Sequence, residues 1–252
     1  MRKATMISCL ALLLSAFCQT TSAHEFLLRP TVFQCAPGDV VSFSVVSAHR
    51  FMVSEEMEPL AKVSVSLAGS PVKLAENPML LTLDGQATPV ASGDVYLVGH
   101  RAGVIWTQTT KGWVEGSKKG LTGVLSSGLY EKFAKALIVS GASDGAYAKP
   151  VGQRLEIVPV SDPSSLRPGD EATFRILLDG KPLGAEVFAS YDGFSAHENT
   201  YAGYTECGGD GLAHIRITAP GVWMIRAQHK APGKSEDYDT LVTRSTLTFE
   251  VR

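Results

Sequence analysis

The first long β-pattern of the chain is Pro37-Gly38-Asp39-Val40-Val41-Ser42-Phe43-Ser44-Val45-Val46-Ser47-Ala48-His49. Proline presets φ and glycine tolerates positive φ, so the opening pair turns the chain. Val41, Phe43 and Val45 then alternate with Ser42 and Ser44, the two-residue period of a half-buried strand. His49 falls in phase with the apolar set and places a polar ring at the rim of a core. Outward from this run, short β-patterns recur at 62–67, 79–83, 95–100, 155–158, 172–178, 186–191, 212–218, 222–229 and 245–251, parted by Gly, Pro, Asp and Asn. That is antiparallel sheet rather than helix. Asp179-Gly180 and Asp210-Gly211 are Asp-Gly pairs suited to tight hairpins. Arg167-Pro168-Gly169-Asp170 repeats the Ala36-Pro37-Gly38-Asp39 turn at a comparable place in the second half, as at the start of a strand in an Ig-like sandwich. The fold class expected is mainly β, two Ig-like β-sandwich units with one short helix. Lys149-Pro150 interrupts the pattern, so the units are 24–148 and 149–252. The helix falls at 127–139, where Leu129, Phe133 and Leu137 recur every four positions and Glu131 precedes Lys135 by four. Residues 108–123, with their glycines and lysines, read as a loop.

Residues 1–23 read as a cleavable export signal. Arg2 and Lys3 give a basic start, 7–17 an apolar run, and Thr21-Ser22-Ala23 a small-residue cleavage site. Neither that run nor any later one reaches the roughly 18 apolar residues of a membrane helix, so the expected location is the periplasm without membrane insertion. The net charge of −2 over 252 residues, with no block of like charge, gives no basic patch for nucleic acid. Of four cysteines, Cys9 and Cys18 leave with the signal, and the bulky Phe17 argues against a lipoprotein cysteine at 18. Cys35 and Cys207 remain where oxidation is permitted, so a disulfide is expected over two unpaired thiols or a soft metal site.

Cleavage after Ala23 would leave His24 as the N-terminus, where its α-amine and Nδ1 could close a chelate ring on one ion. The bland reading is that histidine merely follows the cut. His229 falls in phase with Trp223, Ile225 and Ala227 and is, like His49, a rim histidine. His100, ending its run, and His197, beside Glu198 in a loop, are further candidate ligands. His214 lies on the side of Arg216, away from Ile215 and Ile217, and reads as solvated. The acidic run Glu236-Asp237-Tyr238-Asp239 follows His229 and could add oxygen contacts. Imidazole and amine nitrogens suit nickel, cobalt, copper and zinc. No HExxH, CxxC, glycine-rich phosphate loop or GxSxG occurs, so no enzyme is expected.

In order along the chain come Ala23-His24-Glu25-Phe26, Pro37-Gly38-Asp39, Ala48-His49-Arg50-Phe51, Tyr130 with Phe133-Ala134-Lys135-Ala136-Leu137, and Lys149-Pro150-Val151-Gly152. Leu155-Glu156-Ile157-Val158-Pro159, Leu178-Asp179-Gly180-Lys181-Pro182-Leu183, Pro220-Gly221-Val222-Trp223 and Leu247-Thr248-Phe249-Glu250-Val251 follow. In these motifs the chain resembles the exported bacterial proteins described as the periplasmic component of cobalt or nickel uptake, a domain long classed as of unknown function. The resemblance implies a two-part β-rich protein that holds nickel or cobalt for an inner-membrane metal transporter, with His24, His49 and His229 as the matching histidines. The segment 67–130, His100 and the cysteine pair depart from the pattern. Two other readings stand beside it. One is a non-catalytic Ig-like interaction or adhesion module. The other is a copper oxygenase with an N-terminal histidine brace, which needs a histidine facing His24 and exposed aromatics such as Trp106 and Trp113.

Overall fold

Both Pro-Gly turns form, and they form alike. Ala36 N donates to Asp39 Oδ2 at 2.8 Å and Arg167 N to Asp170 Oδ2 at 2.8 Å, while Gly38 and Gly169 take φ of 91° and 103°. Each is a Pro-Gly turn closed by its own aspartate, and each launches a strand. The computed structural model describes residues 24–252; the expected signal, 1–23, lies outside them.

Among the described residues the strands run β1 Glu25–Pro30, β2 Gln34–Cys35, β3 Val41–Ala48, β4 Val63–Leu67, β5 Ser70–Val72, β6 Leu74–Asn77, β7 Thr82–Ala87, β8 Gly93–Thr109, β9 Gly112–Glu115 and β10 Val124–Ser140. The second half adds β11 Leu155–Pro159, β12 Glu171–Leu178, β13 Lys181–Pro182, β14 Glu186–Tyr191, β15 Gly203–Glu206, β16 Leu212–Arg216, β17 Gly221–Ser235 and β18 Tyr238–Val251. A four-stranded sheet has the order β1-β3-β7-β6. A ten-stranded sheet runs β15-β14-β17-β18-β10-β8-β4-β5, with β2 on β10 and β9 on β8. A third sheet groups β11, β13 and β16 around β12.

The ten-stranded sheet serves both sandwiches. Ala134, Ala136 and Ile138 of β10 and Leu97 of β8 pack on Phe26, Leu28, Phe43 and Val45 of the first sheet. Phe133 and Leu137 of β10 pack on the opposite face, with Leu155, Ile157, Phe174 and Ile176 of the third sheet and Trp223, Leu247 and Phe249 of β17 and β18. The halves join where β10 pairs with β18 in parallel, Gly128 to Ala136 against Thr240 to Thr248. β1 is the edge of its sheet, and its carbonyls need partners. Thr246 Oγ1 donates to Phe26 O at 2.6 Å and Thr248 Oγ1 to Leu28 O at 2.7 Å, so the edge rests on β18.

Several expectations are corrected. The helix over 127–139 is instead the strand β10. A four-residue repeat also puts residues on one face of a strand, and β10 buries both faces, from Phe133 to Ser140 without a break. Its period-two signal is thereby erased. Glu131 faces His100 and Arg154 rather than Lys135. Met79 is exposed in the turn between β6 and β7, and the loop over 108–123 contains β9. Asp179-Gly180 closes the hairpin from β12 to β13, with both residues at positive φ; Asp210-Gly211 instead leads from β15 in one sheet to β16 in another. Cys35 and Cys207 are free thiols. Cys35 packs at the edge of the first core and Cys207 within the second, on opposite faces of the shared sheet, and the Cys207 thiol contacts the carbonyls of Leu183 and Ala185. Burial, with Asp39 adding to it, pushes the Cys35 thiol up.

One buried ion pair ties the shared sheet to the third sheet. Lys135 Nζ meets Glu156 Oε1 at 2.6 Å, with the two side chains 0% and 2% exposed. Glu156 also accepts from the amides of Val151, Gly152 and Gln153, which clamps the segment leading into β11. Removing one member of such a pair strands a buried charge. Lys135→Ala should therefore cost about 3–5 kcal/mol, and Lys135→Met combined with Glu156→Gln much less, as measured by guanidinium denaturation.

Candidate metal centre

The pairing of β1 with β3 sets Glu25 opposite Ala48, so the next position outward sets His24 opposite His49. As a cross-strand pair their rings stack, with centroids 3.9 Å apart and planes 21° from parallel. After His49 the chain turns back, with Val53 N donating to Arg50 O and Glu55 N to Ser47 O, each at 2.9 Å. That return carries Glu55 under the rings. Its Oε2 lies 3.2 Å from His49 Nδ1 and 3.8 Å from His24 Nε2. Among the described residues, His24, His49 and Glu55 each offer a donor atom within 4.8 Å of the other two.

The electrostatics keep these donors open to a cation. Burial, then neighbouring His49, pushes the His24 ring below the usual histidine value, against the pull of Glu56 and Glu55, so its neutral form is favoured. Burial opposes the charge of Glu55, but hydrogen bonds from Arg50 and from the His49 amide outweigh it and hold the carboxyl below its usual range. His24 Nδ1 lies 2.9 Å from Glu56 Oε2, which leaves Nε2 turned toward Glu55. A carboxylate holding one ring nitrogen so that the other can bind metal is a recurrent arrangement. The three side chains are 18–24% exposed, so an ion can reach them from solvent.

A layer of buried charge lies behind the rings. Glu58 is 2.7 Å from Lys132 Nζ and 3.4 Å from Arg101 Nε, and accepts from Ser47 Oγ. Glu25 meets Arg226 at 2.9 Å and Arg244 at 3.6 Å.

The other candidates sit elsewhere. In β8, Leu97 and Gly99 face the first sheet, so His100 faces the third; its Nε2 is 2.9 Å from Glu131 Oε1 and its ring stacks on Phe133 at 4.8 Å. His229, opposite Thr243, keeps the phase of Trp223, Ile225 and Ala227 and faces the third sheet as well. Neither can join His24 without crossing the shared sheet. His197 is exposed in the loop whose Asn199 N donates to His49 O at 2.9 Å, so that loop touches β3 although its histidine stands outside the group. His214 is exposed beside Glu171. The acidic run clasps the loop before β10: Asp237 accepts from Ser117 Oγ at 2.7 Å, and Asp239 pairs with Lys118. Glu55 and Glu56 escaped the sequence reading. Their signal was the cluster Glu55-Glu56-Met57-Glu58 just after His49.

A family sequence profile described as a domain of unknown function, DUF4198, matches residues 21–231. No curated protein matches the chain. Among solved structures, the D0–D1 domain of intimin aligns at 11% identity over 90% of this chain and 98% of its own, with a TM-score of 0.25. The adhesin InvE of Yersinia pseudotuberculosis aligns at 11% over 89% of this chain and 58% of its own, TM-score 0.24. A DUF3823 family protein from Bacteroides uniformis aligns at 11% over 91% of this chain and 100% of its own, TM-score 0.24. Likeness at this level says nothing of function.

The buried layer sets a pH dependence. Burial works against the charge of Glu58, but Lys132 and Arg101 outweigh it and hold its carboxyl below the ordinary 4.5. A depressed carboxyl contributes stability that is present above its unfolded value and is lost as pH falls through the folded one. Glu58→Gln should therefore have a lower Tm than the parent near neutral pH, and the gap should narrow as pH drops below 4.5. Thermal unfolding across that range checks it.

Proposed function

Because the chain belongs to the family of the domain of unknown function DUF4198, we propose for it the role carried by the resemblance in its motifs: a periplasmic protein, not an enzyme, that holds a transition-metal ion for uptake. The observation that supports this is the convergence of two imidazoles and a carboxylate, His24, His49 and Glu55, within 4.8 Å. Two nitrogen donors and one oxygen suit nickel and cobalt, and copper and zinc as well. His24 Nε2, one nitrogen of His49 and one Glu55 oxygen would hold the ion, and Glu56 would orient His24 through Nδ1. Open coordination positions would let the ion pass to an inner-membrane transporter, the partner implied by the resemblance.

Removal of residues 1–23 would add the His24 α-amine at the same place. A chelate through that amine and Nδ1 uses the nitrogen that Glu56 now holds, so the two binding modes are distinct. Among the described residues, no helix is long and apolar enough to cross a membrane.

Under this reading, His49→Ala and Glu55→Gln each lower nickel affinity by about 10-fold or more, while His229→Ala and His100→Ala leave it unchanged. Copper binds at least as tightly as nickel. Calorimetry on protein recovered from periplasm, with its N-terminus read by mass spectrometry, checks both the donors and a start at His24. If neither His49→Ala nor Glu55→Gln alters binding, the metal reading fails and the interaction module replaces it. Copper-dependent turnover with a reductant would instead favour the histidine-brace oxygenase.

A further inference from the structure

The ten-stranded sheet runs on past the first sheet, and the face left uncovered forms a cleft of about 380 Å³ beside His24. Trp106 and Trp113 face it from the β8–β9 hairpin. Trp106 is opposite Glu115 and Trp113 opposite Gln108, so the two indoles are diagonal neighbours on one face of the hairpin. Tyr130 and Val104, opposite one another across β10 and β8, continue that face. Arg101 and Lys132 form the floor, each 5% exposed.

The buried charge there does not balance. Arg101 and Lys132 share the single carboxylate Glu58, and next to them Arg226 and Arg244 share Glu25. Glu56 and Glu115, the other acids lining the cleft, are exposed at its rim, and Glu56 is turned to His24. The Arg101 guanidinium donates to the carbonyls of Ala102 and Tyr130, while among the described residues its buried Nε has only the ion-pair contact to Glu58 at 3.4 Å and no hydrogen bond. Buried cations in excess of their carboxylates require a counter-charge, and aromatic walls offer stacking surface for a flat ring. A volume of this size is that of small-molecule sites.

We infer that this cleft binds a planar organic carboxylate, its ring against Trp106 and Trp113 and its carboxylate toward Arg101 and Lys132. The cleft adjoins the proposed metal donors, since His24 and Glu56 line it as well, but Trp106, Trp113, Arg101 and Lys132, which would recognise the carboxylate, are not among those donors.

The test uses metal-free protein with benzoate as probe, benzyl alcohol as the ring without charge, and acetate as the charge without a ring. Benzoate should bind on the order of 10-fold more tightly than either control and perturb tryptophan fluorescence, because Trp223 is fully buried and only Trp106 and Trp113 can report. Trp113→Ala and Trp106→Ala, both at partly exposed positions and neither in the core, should each weaken benzoate about 10-fold while leaving nickel affinity unchanged. Equal affinity for benzoate and acetate, or benzoate binding indifferent to both substitutions, would overturn the proposal. Loss of nickel binding in His49→Ala with benzoate binding intact would leave it standing.

Discussion

The structure depends on one strand having to bury both of its faces. β10 presents Ala134, Ala136 and Ile138 to one core and Phe133 and Leu137 to the other. Its parallel pairing with β18 carries the sheet from the first half of the chain into the second. Its buried charges, Lys132 and Lys135, point to opposite faces and each meets a buried glutamate. A strand buried on both sides leaves its charges no route to water, so each must be paired inside the protein. The two pairs thus also fix how each sandwich sits on the shared sheet.

From that constraint follows the place of the candidate site. β8, β10 and β18 are long because they span two sandwiches, whereas β1 and β3 are short. Where the short pair ends, the long strands continue uncovered. His24 and His49 stand at that lip, with Glu55 on one side and the aromatic and cationic cleft on the other. The same overhang leaves Trp106 and Tyr130 in reach of solvent while Arg101 and Lys132 stay buried beneath them.

The donor set is assembled by three kinds of interaction. Backbone pairing of β1 with β3 sets the two rings face to face. A turn closed on Ser47 O brings Glu55 back to them. Charge pairing by Arg50 and Glu56 orients the acid and one ring. The rings are therefore held by contacts within the protein, stacked 3.9 Å apart.

Local chemistry was legible in the sequence. Alternation predicted about half of the strands, among them β3, β12, β17 and β18, Pro-Gly-Asp predicted two matching turns, and Asp179-Gly180 predicted a hairpin, because each of these is decided within a few residues. The phase of His49 and of His229 was legible for the same reason. What the chain alone did not disclose was nonlocal. The pattern around Leu129, Phe133 and Leu137 fits a helix as well as a strand, and only burial on both faces separates them. Alternation tells which residues share a side of their own strand and is silent on which core that side meets. His229 and His100 accordingly end on the third-sheet side, while His24 and His49 meet through a register joining residues 25 apart in sequence. Glu55 completes the group only because the loop folds back, and Cys35 and Cys207 stay apart because the shared sheet lies between their cores. Periodicity is a property of one strand; the meeting of donors is a property of how strands pair, and that is decided by tertiary packing.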